Sequence, residues 1–103
     1  MELKNEMEVI FKKRKELNIN DDFGIEKCWG EMTILLTQNE DETIDYLSEC
    51  NEDDLYYISE IFEDISEQFQ SKRFITCLRK LDKKFPELDM TKDIDIAESY
   101  IEN

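Results

Sequence analysis

The chain has 103 residues, of which 40% are hydrophobic and 39% are charged, and its formal net charge is −14 at pH 7. This length predicts a single domain, residues 1–103, with a modest hydrophobic core. The charge disfavours nucleic acid and anionic membranes as partners, because both would repel the chain, and it favours cationic proteins or metal cations.

Two glycines and one proline leave few turns for a β-rich fold, and apolar residues at helical spacing predict six helices. The first two cover about residues 2–17 and 23–37, and the polar break at 18–22 supplies N-caps. The third covers about 40–50. The fourth follows the N-cap Asn51 and reaches about residue 69. Ser71 caps the fifth, which ends near Lys84 before Pro86, and Thr91 caps the last. We therefore expect an all-α fold, either a compact bundle of five to six short helices or a stack of helical hairpins.

The sequence lacks the residues of most catalytic and metal-binding sites. It contains no histidine, no calcium-loop motif and no glycine-rich phosphate loop, so we predict no enzyme activity, no cofactor and no metal site. An unrecognised carboxylate metal site or enzyme stays as an alternative. Cys28, Cys50 and Cys77 fall on apolar helical faces, which predicts buried free thiols in a reducing compartment. The charged N-terminus lacks a signal-peptide pattern, and no run of about 18 apolar residues is present. We expect a cytoplasmic protein without membrane contact.

The segment from Asn39 to Gln70 contains twelve acidic residues and no lysine or arginine. Apolar residues at helical spacing are interspersed with the acids, so the segment should fold and hold its carboxylates on a rigid surface. On a helical wheel of the predicted fourth helix, the acids lie mainly on one face, and Tyr56 lies among them as a candidate interface anchor. We predict a partner-binding face made of Asp45, Glu49, Glu52, Asp53, Tyr56, Glu60, Glu63, Asp64 and Glu67.

Two other interpretations of this acidic face remain open. The face is merely solvated, or bases of the fifth helix neutralise part of it through surface salt bridges worth about 0–1 kcal/mol each. Those bases are Lys72, Arg73, Arg79, Lys80, Lys83 and Lys84. The single tryptophan, Trp29, is interpreted as a core residue, with a ligand site as the alternative.

The stretch DLYYISEIFEDI at residues 54–65, followed by FITCL at 74–78, FPEL at 85–88 and DIDIA at 93–97, resembles small acidic all-α immunity proteins of Gram-positive bacteria. Such proteins accompany polymorphic and contact-dependent toxin systems. The resemblance covers the C-terminal half and transfers no individual binding residue. It implies a cytoplasmic inhibitor that binds and neutralises a cognate secreted toxin domain, often a nuclease with a basic cleft that an acidic face would fit. The alternative is an acidic helical regulatory or scaffold module that binds an endogenous cellular protein.

Overall fold

The computed structural model describes residues 2–102, of which 81% are helical and none form a strand, confirming the all-α bundle of short helices. The α-helices are α1 Glu2–Glu16, α2 Asp22–Leu36, α3 Glu40–Ser48, α4 Glu52–Ile58, α5 Phe62–Phe69, α6 Lys72–Lys84 and α7 Thr91–Ser99. Short 3₁₀ helices cover Ser59–Ile61 and Pro86–Leu88. No helix within residues 2–102 combines the length and the apolar character that a membrane crossing requires.

Side-chain caps begin α2, α3, α4 and α6, whereas α5 and α7 start without one. Side-chain oxygens of Asp21, Asn51 and Ser71 accept hydrogen bonds from backbone amides of α2, α4 and α6, as the sequence predicts. The predicted cap at Thr91 is wrong, because Thr91 is already the first residue of α7. Its hydroxyl instead donates to Asp82 Oδ2 at 2.6 Å, so it ties the start of α7 to α6.

The predicted fourth helix over residues 52–69 is interrupted. Residues 59–61 form a 3₁₀ turn, in which each residue advances by about 120° instead of about 100°. The Ser59 hydroxyl donates to the Tyr56 carbonyl oxygen at 2.6 Å and competes with the regular helical bond. Ile58 and Ile61 are both fully buried around the break. The phase shift of about 60° over three residues means that the acids of α4 and α5 do not share the single face of a continuous helix.

One continuous hydrophobic cluster receives side chains from all seven α-helices of residues 2–102. α1 packs against α2, α3 against α6, and α5 against both α6 and α7. Two buried hydroxyls fix neighbouring helices: Thr43 donates to the Leu36 carbonyl at 2.7 Å, and Ser66 donates to the Ala97 carbonyl at 2.6 Å. The three cysteines are buried and free, which confirms the prediction for them.

Candidate partner-binding surface

Eight of the twelve acids between Asn39 and Gln70 lie in the first turn of an α-helix, and six of these eight belong to α3 and α4. These six are Glu40, Asp41 and Glu42 in the first turn of α3, and Glu52, Asp53 and Asp54 in the first turn of α4. Asn39 and Asn51 cap these helices by accepting hydrogen bonds at 2.9 Å from the amides of Glu42 and Asp54. Negative charge at the positive end of a helix dipole stabilises the helix by about 0.3–1 kcal/mol. The helix dipole therefore explains the positions of these six acids without a binding partner.

The helix dipole does not explain the positions of Asp45 and Glu49. They lie near the C-terminal end of α3, where Glu49 is the C-cap residue and no basic residue occupies the last turn. Carboxylates at the negative end of a helix dipole are unfavourable. Both side chains are exposed. Local helix stability thus does not account for this pair.

Of the nine predicted binding residues, Glu60 is the one that forms a salt bridge within residues 2–102. It accepts a hydrogen bond from Arg14 Nη2 at 3.1 Å and another from the Trp29 indole Nε1 at 2.9 Å. The Arg14 and Glu60 side chains are only 16% and 23% exposed. Arg14 also lies 5.1 Å from the centre of the Tyr57 ring. Glu60 therefore joins the 3₁₀ turn to the α1–α2 hairpin, and Trp29 packs against the core as expected.

The acids of α5 form a separate group beside α7. A hydrogen bond to Glu63, together with the charge of Glu63, raises the pKa of Tyr100. The pKa of Asp64 is raised, first by partial burial and then by the charges of Glu63 and Glu67. Asp93 of α7 has a raised pKa from burial and from Glu63. Glu63 thus lies close to Asp93 of α7 and to Tyr100, the C-cap residue of that helix.

A groove of about 640 Å³ lies between α1, α3 and the start of α4. We call it the acidic groove. Its lining includes five carboxylates and one cation, Lys4. The carboxylates are Glu8, Glu42, Asp45, Glu49 and Asp54. Glu42, Asp45 and Glu49 recur at i, i+3 and i+7, which places them along one side of α3. Within residues 2–102, none of the five carboxylates takes part in a salt bridge.

The lining of the acidic groove also includes two side chains that stay neutral at physiological pH. Burial, followed by the proximity of Cys50, strongly raises the pKa of the Tyr46 hydroxyl. Burial also raises the pKa of the Cys50 thiol to about 12. The pKa of Asp54 is raised as well, mainly by burial, although Lys15 opposes that shift. The groove thus combines carboxylates with an aromatic ring and a thiol, a combination that suits a lysine or arginine side chain with its apolar stem and charged end.

A second depression of about 490 Å³ adjoins the acidic groove across α4; its lining includes Lys15, Glu52, Asp53, Tyr56, Tyr57 and Leu88. We call it the tyrosine pocket. Tyr56 is 54% exposed, and its ring meets the Tyr57 ring edge to face at 5.4 Å. Lys15 of this pocket lowers the pKa of Asp54 in the acidic groove, so the two depressions are neighbours. The neighbouring carboxyl group of Glu87 raises the pKa of Glu52, and the pKa of Glu87 is lowered in turn.

The bases of α6 bind acids outside the acidic groove. Arg73 bridges to Asp41 at 2.6 Å and to Glu40 at 3.6 Å. Arg79 bridges to Asp95 at 2.8 Å and to Glu98 at 2.7 Å on α7. Exposed pairs of this kind contribute about 0–1 kcal/mol each. The salt bridges of α6 therefore involve the start of α3 and α7, and within residues 2–102 none of them includes a carboxylate of the acidic groove.

The structure divides the nine predicted residues among four places. Asp45 and Glu49 line the acidic groove, whereas Glu52, Asp53 and Tyr56 line the tyrosine pocket. Glu63, Asp64 and Glu67 lie on α5, and Glu60 points inward. The sequence prediction missed three groove residues, Glu8, Glu42 and Asp54. The spacing of Glu42 from Asp45 and Glu49 was a usable signal, but Glu8 comes from α1 and only the tertiary packing brings it there.

Within residues 2–102, no group of three or more acidic, cysteine or histidine side chains is arranged to hold a metal ion. No protein-family model matches this chain, and neither a curated protein nor a solved structure matches it.

Proposed function

We propose that the protein binds a cationic partner protein through the acidic groove and the tyrosine pocket, and that it is a cytoplasmic immunity-type inhibitor of a cognate secreted toxin domain. The acidic groove is the observation that carries the proposal. It collects five carboxylates from three helices, none of them in a salt bridge within residues 2–102. Two of these, Asp45 and Glu49, lie where they disfavour their own helix. A cationic partner would offset that cost.

The charge distribution supports a particular binding mechanism. A net charge of −14 attracts a basic protein over a distance and raises the association rate in a salt-dependent way. Lysine or arginine side chains of the partner would enter the acidic groove, and the exposed Tyr56 would anchor the adjoining contact, because tyrosine is enriched among residues that dominate binding energy. A basic nuclease cleft blocked in this way could not hold its phosphate substrate.

The test is a binding experiment with the purified protein encoded by the adjacent gene, in low and in high salt. We expect a complex whose association rate falls steeply as salt is added. The double variant Asp45→Lys/Glu49→Lys should slow association by at least about tenfold. Asp64→Lys/Glu67→Lys is the matched control, because it changes the net charge equally but lies on α5 outside the groove.

Each result has a defined meaning. Equal slowing by both double variants would show that overall charge, and not the acidic groove, controls binding. A complex that leaves the partner's toxic activity intact would separate binding from inhibition. The absence of a complex at either salt concentration would favour the alternative, a regulatory or scaffold module for an endogenous cellular protein.

A further inference from the structure

The exposed apolar side chains of this protein are concentrated on the α1–α2 hairpin. Of the seven large hydrophobic residues that are exposed within the described part of the chain, four belong to it: Val9, Ile19, Phe23 and Ile34. Phe23 and Ile34 are 81% and 64% exposed. This surface is distinct from the acidic groove, and the proposed function does not use it.

Phe23 and Ile34 belong to one strip along α2. With Lys27 and Gly30 they occupy positions i, i+4, i+7 and i+11, which fall within about 60° of one another at about 100° per residue. We call these four residues the α2 strip. The buried residues of α2, Ile25, Cys28, Met32 and Leu36, lie on the opposite side. The α2 strip is thus the solvent-facing side of a helix whose other side is fully used by the core.

Nothing in the structure of a single chain requires glycine at position 30, in the middle of this strip. A Cβ atom added at Gly30 would meet nothing within 4 Å. Its φ angle is not positive, so its backbone conformation is open to any residue. Glycine in a helix interior is less favourable than alanine. Glycine at this position would let the backbone of another molecule approach α2 closely, and the isolated chain makes no such contact there.

The charge distribution indicates a second copy of the chain as the occupant. Residues 2–37 contain six bases and eight acids, a net charge of −2, whereas residues 38–102 contain seven bases and nineteen acids, a net charge of −12. Two copies would therefore repel each other through most of their surfaces. The hairpin is the region where two copies can meet with little repulsion.

We propose that two copies of the protein associate through the α2 strip, with their α2 helices antiparallel around a two-fold axis. An axis midway between Lys27 and Gly30 has Phe23 and Ile34 at equal distances of about 8 Å on either side, at about 1.5 Å per residue. Phe23 of each copy then meets Ile34 of the other, and Lys27 crosses over Gly30. A two-fold contact requires this kind of self-complementary surface.

Val9 extends the contact onto α1. The Lys13–Glu31 salt bridge, at 3.6 Å, fixes how α1 and α2 sit side by side. Val9 lies one turn before Lys13 and Ile34 about one turn after Glu31, so both lie towards the same open end of the hairpin. A face of two helices about 22 Å long and about 20 Å wide offers roughly 450 Å² per copy, well below the roughly 800 Å² of a standard interface. The dimer should therefore be weak and depend on concentration.

Sedimentation velocity from the low micromolar to the millimolar range tests the proposal. We expect the wild-type chain to shift from monomer to dimer as its concentration rises. Ile34→Lys should raise the dimer dissociation constant by about tenfold or more. Ile96→Lys is the matched control, because Ile96 is an exposed isoleucine on α7 outside the hairpin, and this variant should dimerise like the wild type.

Gly30→Ala provides a second test, because it should stabilise the monomer and weaken the dimer. It should raise the thermal unfolding midpoint of the monomer by roughly 3–8 °C, because alanine is the better helix former and has room there. It should also weaken the dimer, because the new methyl group separates the helices. A monomer at every concentration would overturn the proposal. A dimer that both Ile34→Lys and Gly30→Ala leave unchanged would overturn it equally.

Discussion

The contact between Glu60, Arg14 and Trp29 gives the sharpest prediction on stability. Glu60→Ala removes the acceptor of two hydrogen bonds, at 3.1 Å from Arg14 Nη2 and 2.9 Å from the Trp29 indole. Both bonds involve the charged carboxylate of Glu60, and a hydrogen bond to a charged group contributes about 1.5–3 kcal/mol. The variant also leaves Arg14, whose side chain is 16% exposed, without its counter-charge.

Because water can still reach the partly buried Arg14 and replace part of these bonds, we expect a loss below the sum of the two, about 2–3 kcal/mol of unfolding free energy. For a chain of this length, that loss corresponds to a fall of roughly 10–15 °C in the unfolding midpoint. Urea and thermal unfolding followed by circular dichroism measure both quantities. Trp29 is the only tryptophan, so its fluorescence should report the lost hydrogen bond directly.

Glu67→Ala is the control, since Glu67 is an exposed acid on α5, and its effect should stay within about 0.5 kcal/mol. A double-mutant cycle with Arg14→Ala should give a coupling energy of about 1–2 kcal/mol between Glu60 and Arg14. If Glu60→Ala unfolds at the same urea concentration as Glu67→Ala, Glu60 is not part of a structural contact. Glu60 would then again be a candidate residue for partner binding.

Three further predictions concern the protein without a partner. The pKa values of Asp54, Asp64 and Asp93 are raised from 3.8, chiefly by burial, so the folded state binds protons more tightly than the unfolded state does. The stability that these groups contribute is present at low pH and is lost as pH rises through their folded values. The unfolding midpoint should therefore be higher in mildly acidic buffer than at neutral pH, and a lower midpoint would contradict this. Asn51→Ala should cost about 1 kcal/mol in urea unfolding by removing the α4 cap, whereas Asn51→Asp should retain most of the stability. Cys50 is buried and its pKa is raised to about 12, so alkylation in native buffer should be slow and should become fast in denaturant; rapid native labelling would refute its burial.

Much of the fold could be predicted from the sequence because the decisive signals are local. Helical spacing of apolar residues and the caps at Asn51 and Ser71 depend only on neighbours three or four positions away. The break at residues 59–61 could not be predicted in this way. Leu55, Ile58, Phe62 and Ile65 fit an unbroken helical period across it, and all four are buried in the interrupted form too.

The candidate surface was predictable only where it lies on one helix. Asp45 and Glu49 of the acidic groove and Tyr56 of the tyrosine pocket are among the predicted residues because each lies in the acid-rich segment. The helical wheel puts Glu60 on the acidic face because a wheel assumes a constant rotation per residue, whereas in the structure Glu60 contacts Arg14 on α1. Glu8 was missed for the same physical reason, since packing between distant segments leaves no periodic signal in either one.

The acids of this protein separate into those that stabilise it and those that do not, and the separation bears on function. Carboxylates in the first turns of α3 and α4 favour folding, and Glu60 joins the 3₁₀ turn to the α1–α2 hairpin. Asp45 and Glu49 oppose the dipole of α3, and they share the acidic groove with Asp54, whose raised pKa reflects a cost of holding its charge there. A chain that needed these acids only for solubility could carry them on any exposed helix face without that cost. Their convergence in one groove is the feature that the proposed cationic partner would account for.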